Sequence, residues 1–107
     1  MKSTFNIEDE KKFIYEINHT IEFIEEAWKN FVLCNFNSAM KYFNNIVISL
    51  DKIINYMNKY CELNLEINYL LKILQKLEKS IIIKNYVYSA DLLKYEIEPI
   101  LKKWKNI

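Results

Sequence analysis

No glycine occurs among the 107 residues, and this absence limits both the folds and the sites that the chain can form. Phosphate-binding loops, dinucleotide-binding fingerprints and serine-nucleophile elbows need glycine for positive φ angles or close backbone approach. Tight β-hairpin turns of types I′ and II′ prefer glycine as well. The sequence therefore excludes these glycine-dependent sites and disfavours an all-β fold.

The charge balance argues against nucleic-acid and membrane partners. Every one of the 15 basic residues is lysine, 14 residues are acidic, and the formal net charge is +1. Without arginine the chain lacks the planar fork that recognises phosphate or guanine in a bidentate way. A balanced charge also gives little electrostatic steering toward a polyanion. The bias toward Lys, Asn, Ile and Tyr is typical of AT-rich codons and indicates a bacterium or another organism of low GC content.

Targeting and cysteine features favour a cytoplasmic protein without a cofactor. The first ten residues lack an apolar signal-peptide core, and no apolar run reaches the roughly 20 residues that span a bilayer. Cys34 and Cys61 flank the second predicted helix, which would hold them more than about 30 Å apart. An intramolecular disulfide is therefore not expected, and two cysteines with one histidine do not form a zinc site.

The apolar residues repeat with a helical period along almost the whole chain. Steps of three, four and seven residues predict helices over about 7–33, from Ser38 or Ala39 to about Lys59, from about Tyr60 to Ile83, and from Tyr86 onward. Pro99 predicts a kink or break near Glu98, because proline removes a donor and clashes one turn back. We expect one all-α domain over 1–107, a four-helix up-down bundle built from two αα-hairpins.

The two predicted hairpins align at an offset of 50 residues. Ile24 aligns with Leu74, Asn35 with Asn85, and further pairs follow at the same spacing. Each half of the sequence is therefore predicted to form a helix, an Asn-aromatic turn and a second helix. Either an internal duplication or the general similarity of amphipathic hairpins explains this alignment.

Few residues suggest catalysis. Glu16 and His19 match one Glu-x-x-His motif of di-iron bundles, but those sites need two such motifs and this chain has a single histidine. We interpret this pair as part of a solvated helix face. The acidic run (Glu22, Glu25 and Glu26) and the basic tail (Lys102, Lys103 and Lys105) are interpreted in the same way.

The aromatic content is the feature that most favours binding. Phe, Tyr and Trp make up 15% of the chain, more than the interior of a four-helix bundle accommodates. Tyr and Trp are enriched at protein interfaces, although codon bias and boundary packing also explain such an excess. The residues expected to bind a partner are Tyr42, Tyr56, Tyr60, Tyr88, Tyr95 and Trp104.

Two segments resemble known families. The segment 35–43, with Ala27-Trp28 upstream, resembles the turn and second helix of a tetratricopeptide unit, but the 50-residue offset differs from that family's 34, so its peptide-binding role is not carried over. The segment 84–104 resembles the C-terminal part of small helical proteins from Gram-positive bacteria, which form a domain family of unknown function. That resemblance implies a helical bundle and no particular activity.

The leading hypothesis is a non-catalytic protein-interaction module. It would act as an adaptor or chaperone-like bundle and bind a partner helix or a second copy of itself. The alternative is a small ligand-binding or enzymatic bundle that uses Asp91, Tyr95 and Glu96 near Pro99. A third hypothesis is a structural subunit of a larger assembly.

Overall fold

The computed structural model describes residues 7–60 and 64–106, which fold into four helices. The first three are α1 (Ile7–Val32), α2 (Phe36–Tyr60) and α3 (Asn64–Ile82). The fourth, named the C-terminal helix below, comprises α4 (Tyr86–Asp91), a π-helical segment (Leu92–Ile97) and α5 (Glu98–Trp104). The described part of the chain is entirely helical apart from its turns, which confirms the predicted all-α bundle.

The two hairpin turns share one backbone geometry at an offset of 50 residues. Cys34 and Lys84 both adopt left-handed conformations, with φ of 61° and 59°. In each turn the N–H of that residue donates to the carbonyl three residues back over 3.1 Å. The next N–H, from Asn35 or Asn85, donates to the carbonyl five residues back over 2.8 Å. These bonds define a Schellman motif, which usually places glycine at the left-handed position.

Stacked rings join the two turns at one end of the bundle. The ring of Tyr86 lies 5.5 Å from that of Phe31 and 4.5 Å from that of Phe36. Tyr86 begins the C-terminal helix, whereas Phe31 and Phe36 flank the first turn. Both hairpins therefore point the same way, as an up-down bundle requires.

Packing among the helices is unequal. α1 contacts α2 along its length and also lies against all three parts of the C-terminal helix, while α3 packs against α4 and the π-helical segment. In contrast, α2 and α3 approach each other closely at few positions. The bundle is consequently closed between α1 and the C-terminal helix and open between α2 and α3.

The core stripe of α1 follows one of two seven-residue series in the sequence. Ile17, Ile24 and Phe31 are seven residues apart and are buried, as this spacing predicts. Ile14, Ile21 and Trp28 form the second series and are only half-buried. The remaining buried positions of α1 complete the stripe at alternating steps of three and four; they are Phe13, Thr20 and Ala27. The buried Thr20 hydroxyl donates to the Glu16 carbonyl over 2.7 Å, so its polarity is satisfied within the helix.

The irregularity predicted near Pro99 takes the form of a π-helical segment. The N–H of Glu98 donates to the carbonyl of Leu93, five residues back rather than four. Pro99, which cannot donate, follows in the first turn of α5. The helix continues through this region because Asp91, Ile97 and Glu98 all keep right-handed helical φ and ψ angles.

The predicted helix boundaries hold to within a few residues. α2 begins at Phe36, two residues before the predicted start at Ser38, because the Schellman turn already ends at Asn35. Asn6, whose residue type and place just before α1 predict an N-cap, and the thiol of Cys61 lie outside the described residues, and Cys34 is exposed. No described helix has the length and apolar content required to cross a membrane.

Candidate functional site

An apolar groove of about 630 Å³ lies where α2 and α3 separate. We call it the α2–α3 groove, and it is lined by Phe43, Asn44, Val47, Ile48, Leu50, Asp51 and Ile54 of α2 and by Leu71, Leu74, Leu77 and Glu78 of α3. Phe43, Val47, Leu50 and Ile54 of α2 are separated by steps of four, three and four, so with their neighbours they form a broad stripe along about three turns of helix.

Large aliphatic side chains of the groove face solvent. Val47 is 47% exposed, Ile48 57% and Leu71 42%, although Leu50 and Leu77 at its floor are buried. Apolar exposure of this kind, continuous with a core and bounded by polar residues, is typical of an interaction surface. The arrangement can therefore bind an apolar side of another molecule without rearrangement of the core.

Comparison through the 50-residue offset shows what the groove lacks. Under this offset α1 corresponds to α3 and α2 to the C-terminal helix, so the boundary between α1 and the C-terminal helix, named the closed seam, corresponds to the α2–α3 groove. Phe43 and Val47 of the groove correspond to Leu93 and Ile97, which are fully buried in the closed seam. The groove is thus the same helix face left without a covering helix.

A buried carboxyl group occupies the closed seam. Glu98 is only 4% exposed, and its Oε2 atom lies 3.6 Å from Lys94 Nζ and 3.3 Å from Lys102 Nζ. Lys94 also forms an ion pair with Glu25 of α1, and its Nζ lies 5.4 Å from the centre of the Trp28 ring. These five residues, named the Glu98 network, tie α1 to the C-terminal helix.

Burial and neighbouring charges shift the pKa values of this network. The pKa of Glu98 is raised, first by burial and next by the neighbouring Glu25 carboxyl. The pKa of Glu25 is lowered, first by its interaction with Glu98 and then by Lys94. Pairing with Glu25 raises the pKa of Lys94. Because the pKa values of the two carboxyl groups shift in opposite directions, Glu98 takes up a proton before Glu25 does as the pH falls.

The sequence did not single out the Glu98 network. The sequence analysis interprets Glu25 and Lys102 as members of solvated charged runs. Lys102 is exposed as this predicts and Glu25 is half-buried, but each also pairs directly or through Lys94 with the buried Glu98. The signal that could have indicated it is the helical spacing of Lys94, Glu98 and Lys102, which places one acid between two bases on one face.

The predicted partner-binding aromatics differ in their exposure. Tyr88 and Tyr95 are exposed, Tyr42 and Tyr56 are half-buried against the core, and the side chain of Tyr60 lies outside the description. Trp104, at 1% exposure, is part of the core. It corresponds to Ile54 of the groove under the 50-residue offset, and it lies beside Leu65 and Tyr69 of α3.

The residues of the alternative ligand site are exposed as well. Asp91, Tyr95 and Glu96 all face solvent, and Asp91 lines a shallow pocket at the turn end of the bundle with Trp28 and neighbouring residues. Glu96 instead accepts a hydrogen bond of 3.3 Å from the Tyr69 hydroxyl of α3 and raises the pKa of Tyr69. A ligand site at these three residues stays a prediction.

The single histidine lies in a row of rings on α1. The His19 ring is 4.4 Å from Tyr15 and 5.7 Å from Phe23, one turn away on either side. Among the described residues, no group of three or more His, Cys, Asp or Glu side chains is arranged to hold a metal ion.

The groove residues carried a sequence signal that the aromatic count obscured. Ile46, Val47 and Ile48 are three consecutive aliphatic residues within α2, and consecutive helix positions lie about 100° apart, so they cannot all face one core. Ile46 is buried and the other two line the groove. Excess aliphatic residues, rather than excess tyrosines, therefore mark the unpartnered face.

Comparisons with known proteins give a family and no activity. A family model described as a domain of unknown function, DUF8042, matches residues 16–107. No curated protein and no solved structure matches the chain. The match extends well beyond the segment 84–104 and includes the α2–α3 groove and the Glu98 network.

Proposed function

The chain belongs to the DUF8042 family, and we propose that it is a non-catalytic protein-interaction module that takes a partner's amphipathic helix into the α2–α3 groove. The observation that carries this proposal is the solvent-exposed aliphatic lining between two helices that hardly touch. Helix-in-groove binding buries such a lining and relies on anchors spaced as i, i+3, i+4 and i+7.

The length of the groove suits a helix. Its α2 wall extends from Phe43 to Ile54, about 16 Å along the helix axis at roughly 1.5 Å per residue. A docked helix would therefore make contact over about three turns, enough for three or four apolar anchors. An adaptor or a chaperone that holds an exposed helix of its client would act in this way.

The closed seam supports a helix as the occupant rather than a small molecule. There, α1 covers the helix face that corresponds to the α2 wall of the groove. In the groove the helix that corresponds to α1 is α3, which stands apart from α2, so a partner helix would lie in the gap between these two helices. The groove is also open along its length, whereas sites for small ligands enclose most of the ligand surface.

A neutral model peptide tests this proposal. The probe is a helical peptide of about 18 residues with leucines at i, i+3, i+4 and i+7 and glutamines elsewhere, long enough to form about five turns. Titration into the ¹⁵N-labelled protein should shift the backbone amide resonances of Val47, Ile48 and Leu71. The variant Ile48→Lys should weaken binding by about tenfold or more, because it places an ammonium in an apolar contact.

The matched control is Ile83→Lys, the same change at an exposed residue of the second hairpin turn, away from the groove lining. It should leave peptide binding unchanged. Resonance shifts that map outside the groove, or equal losses in both variants, would reject the proposal. Light scattering at several concentrations tests self-association, and a dimer that Ile48→Lys dissociates would make the occupant a second copy.

The cellular setting remains part of the proposal. We propose that the protein is cytoplasmic and bacterial; the AT-rich codon bias supports the bacterial source, and the C-terminal resemblance suggests the Gram-positive group. Fractionation of the native cells would test this localisation.

A further inference from the structure

Two carboxylates line the otherwise apolar α2–α3 groove. Asp51 lies on the α2 wall and Glu78 on the α3 wall, and both side chains are exposed. Neither forms an ion pair with another described residue, and the described lining contains no lysine. The groove therefore presents negative charge on both walls, with no cation among its described lining residues to balance it.

The closed seam shows how the same fold treats carboxylates between helices. There, Glu25 and Glu98 are matched by Lys94 and Lys102, each within ion-pair distance of at least one carboxylate. Covering a carboxylate without a cation costs free energy, because the charge loses water and gains no partner. A helix that covers the α2–α3 groove should therefore supply the cations that the groove itself lacks.

We infer that the partner of the groove is a basic amphipathic helix of another protein, with an apolar stripe flanked by Lys or Arg side chains that pair with Asp51 and Glu78. This inference rests on the proposed helix-docking function and specifies its ligand. The charges set orientation and selectivity, while the aliphatic lining supplies most of the contact area.

A second copy of the chain fits this description poorly. The basic segment Lys102–Lys105 belongs to a helix whose apolar residues Leu101 and Trp104 are already buried in the core. It cannot offer an apolar stripe and cations together without unfolding. The net charge of +1 also means that no general attraction to a basic helix is expected from the chain as a whole.

Three peptides that share one leucine stripe test the inference. Their remaining positions carry lysine, glutamine or glutamate, and their dissociation constants are measured by calorimetry at low and high salt. We expect the lysine peptide to bind about tenfold more tightly than the glutamate peptide, because exposed ion pairs contribute only modestly. The difference should shrink as salt is raised, since salt screens exposed charges.

The double variant Asp51→Asn, Glu78→Gln should remove this preference and leave binding of the glutamine peptide unchanged. The matched control, Glu22→Gln with Asp91→Asn, neutralises two exposed carboxylates outside the groove lining and should keep the preference. A lysine preference that persists in the first double variant would overturn the inference, because its source would lie elsewhere.

The outcomes separate the two proposals. If the glutamine peptide binds the groove but the lysine and glutamate peptides bind alike, the basic partner is rejected and helix docking stands. Tighter binding of the glutamate peptide leads to the same rejection. If none of the three peptides binds, helix docking fails and this inference fails with it.

Discussion

The closed seam and the α2–α3 groove are built from corresponding faces of the two hairpins and differ in what covers them. In the closed seam α1 lies against the C-terminal helix, in which Leu93 and Ile97 are fully buried. In the groove α2 and α3 remain apart, and Val47 and Ile48 face solvent. The difference teaches that the amphipathic pattern of a helix fixes which face is apolar, but not whether the same chain covers it.

Side-chain size is one physical source of this difference. Ala27 of α1 and Leu77 of α3 occupy corresponding positions, and both are buried. The separation of two packed helices depends on the side chains between them, so alanine permits a closer approach than leucine. The Glu98 network adds an electrostatic connection to the closed seam that has no equivalent in the groove lining.

The largest expected effect is a loss of stability in the closed seam. Ile97→Ala should lower the free energy of unfolding by about 3 kcal/mol, because it opens a cavity at a fully buried position. Ile48→Ala, the same change in the groove, should cost less than about 1 kcal/mol. Urea denaturation monitored by circular dichroism measures both free energies of unfolding. Equal losses would contradict the distinction between the closed seam and the α2–α3 groove.

The next effect comes from the cation that joins α1 to the C-terminal helix. Lys94→Met should lower the free energy of unfolding by about 2 kcal/mol, because it leaves the buried Glu98 with a single cation, Lys102. Asn44→Met is the matched change at the corresponding groove position and should alter stability by less than about 0.5 kcal/mol. If Lys94→Met lowers the free energy of unfolding no more than Asn44→Met does, the Glu98 network does not stabilise the fold.

A pH-dependent effect follows from the raised pKa of Glu98. A carboxyl group whose pKa is higher in the folded state stabilises that state at low pH, and this contribution is lost as pH rises through the folded-state pKa. Glu98→Gln should therefore gain stability relative to the unmodified protein as the pH rises above about 4.5. Thermal unfolding across pH 3–8 measures this difference.

The control for this series is Glu22→Gln, an exposed residue on α1 next to the network. This variant measures the pH dependence that arises from removing an exposed carboxyl group outside the network. The lowered pKa of Glu25 acts in the opposite sense, since its stabilising contribution is lost as pH falls through the folded-state value. If the stabilities of Glu98→Gln and of the unmodified protein change with pH in parallel, the raised pKa of Glu98 in the folded state is rejected.

The smallest effect concerns the turns, which are alike in both hairpins. Cys34→Gly and Lys84→Gly should each raise the free energy of unfolding by about 0.5–1 kcal/mol, because glycine adopts the left-handed conformation without the Cβ penalty. Equal gains in stability, measured by thermal unfolding, would show that the turns do not cause the difference between the closed seam and the α2–α3 groove. A gain in one turn alone would assign part of that difference to the hairpin connection.

Much of the fold could be predicted from local residue patterns. The helical periods and the Asn-aromatic turns located all four helices, and the 50-residue offset anticipated the matching turns around Asn35 and Asn85. The candidate site was harder to predict. Aromatic content drew attention to Trp104, which is buried, and away from Val47 and Ile48, which line the groove.

The sequence by itself determined the helices, their turns and their apolar faces, because these depend on interactions within a few residues along the chain. Only the tertiary structure decided that Glu98 is buried between two helices and that the corresponding face of α2 is open. Burial and pKa shifts depend on the separation of helices distant in sequence, and residue spacing carries no direct record of that separation.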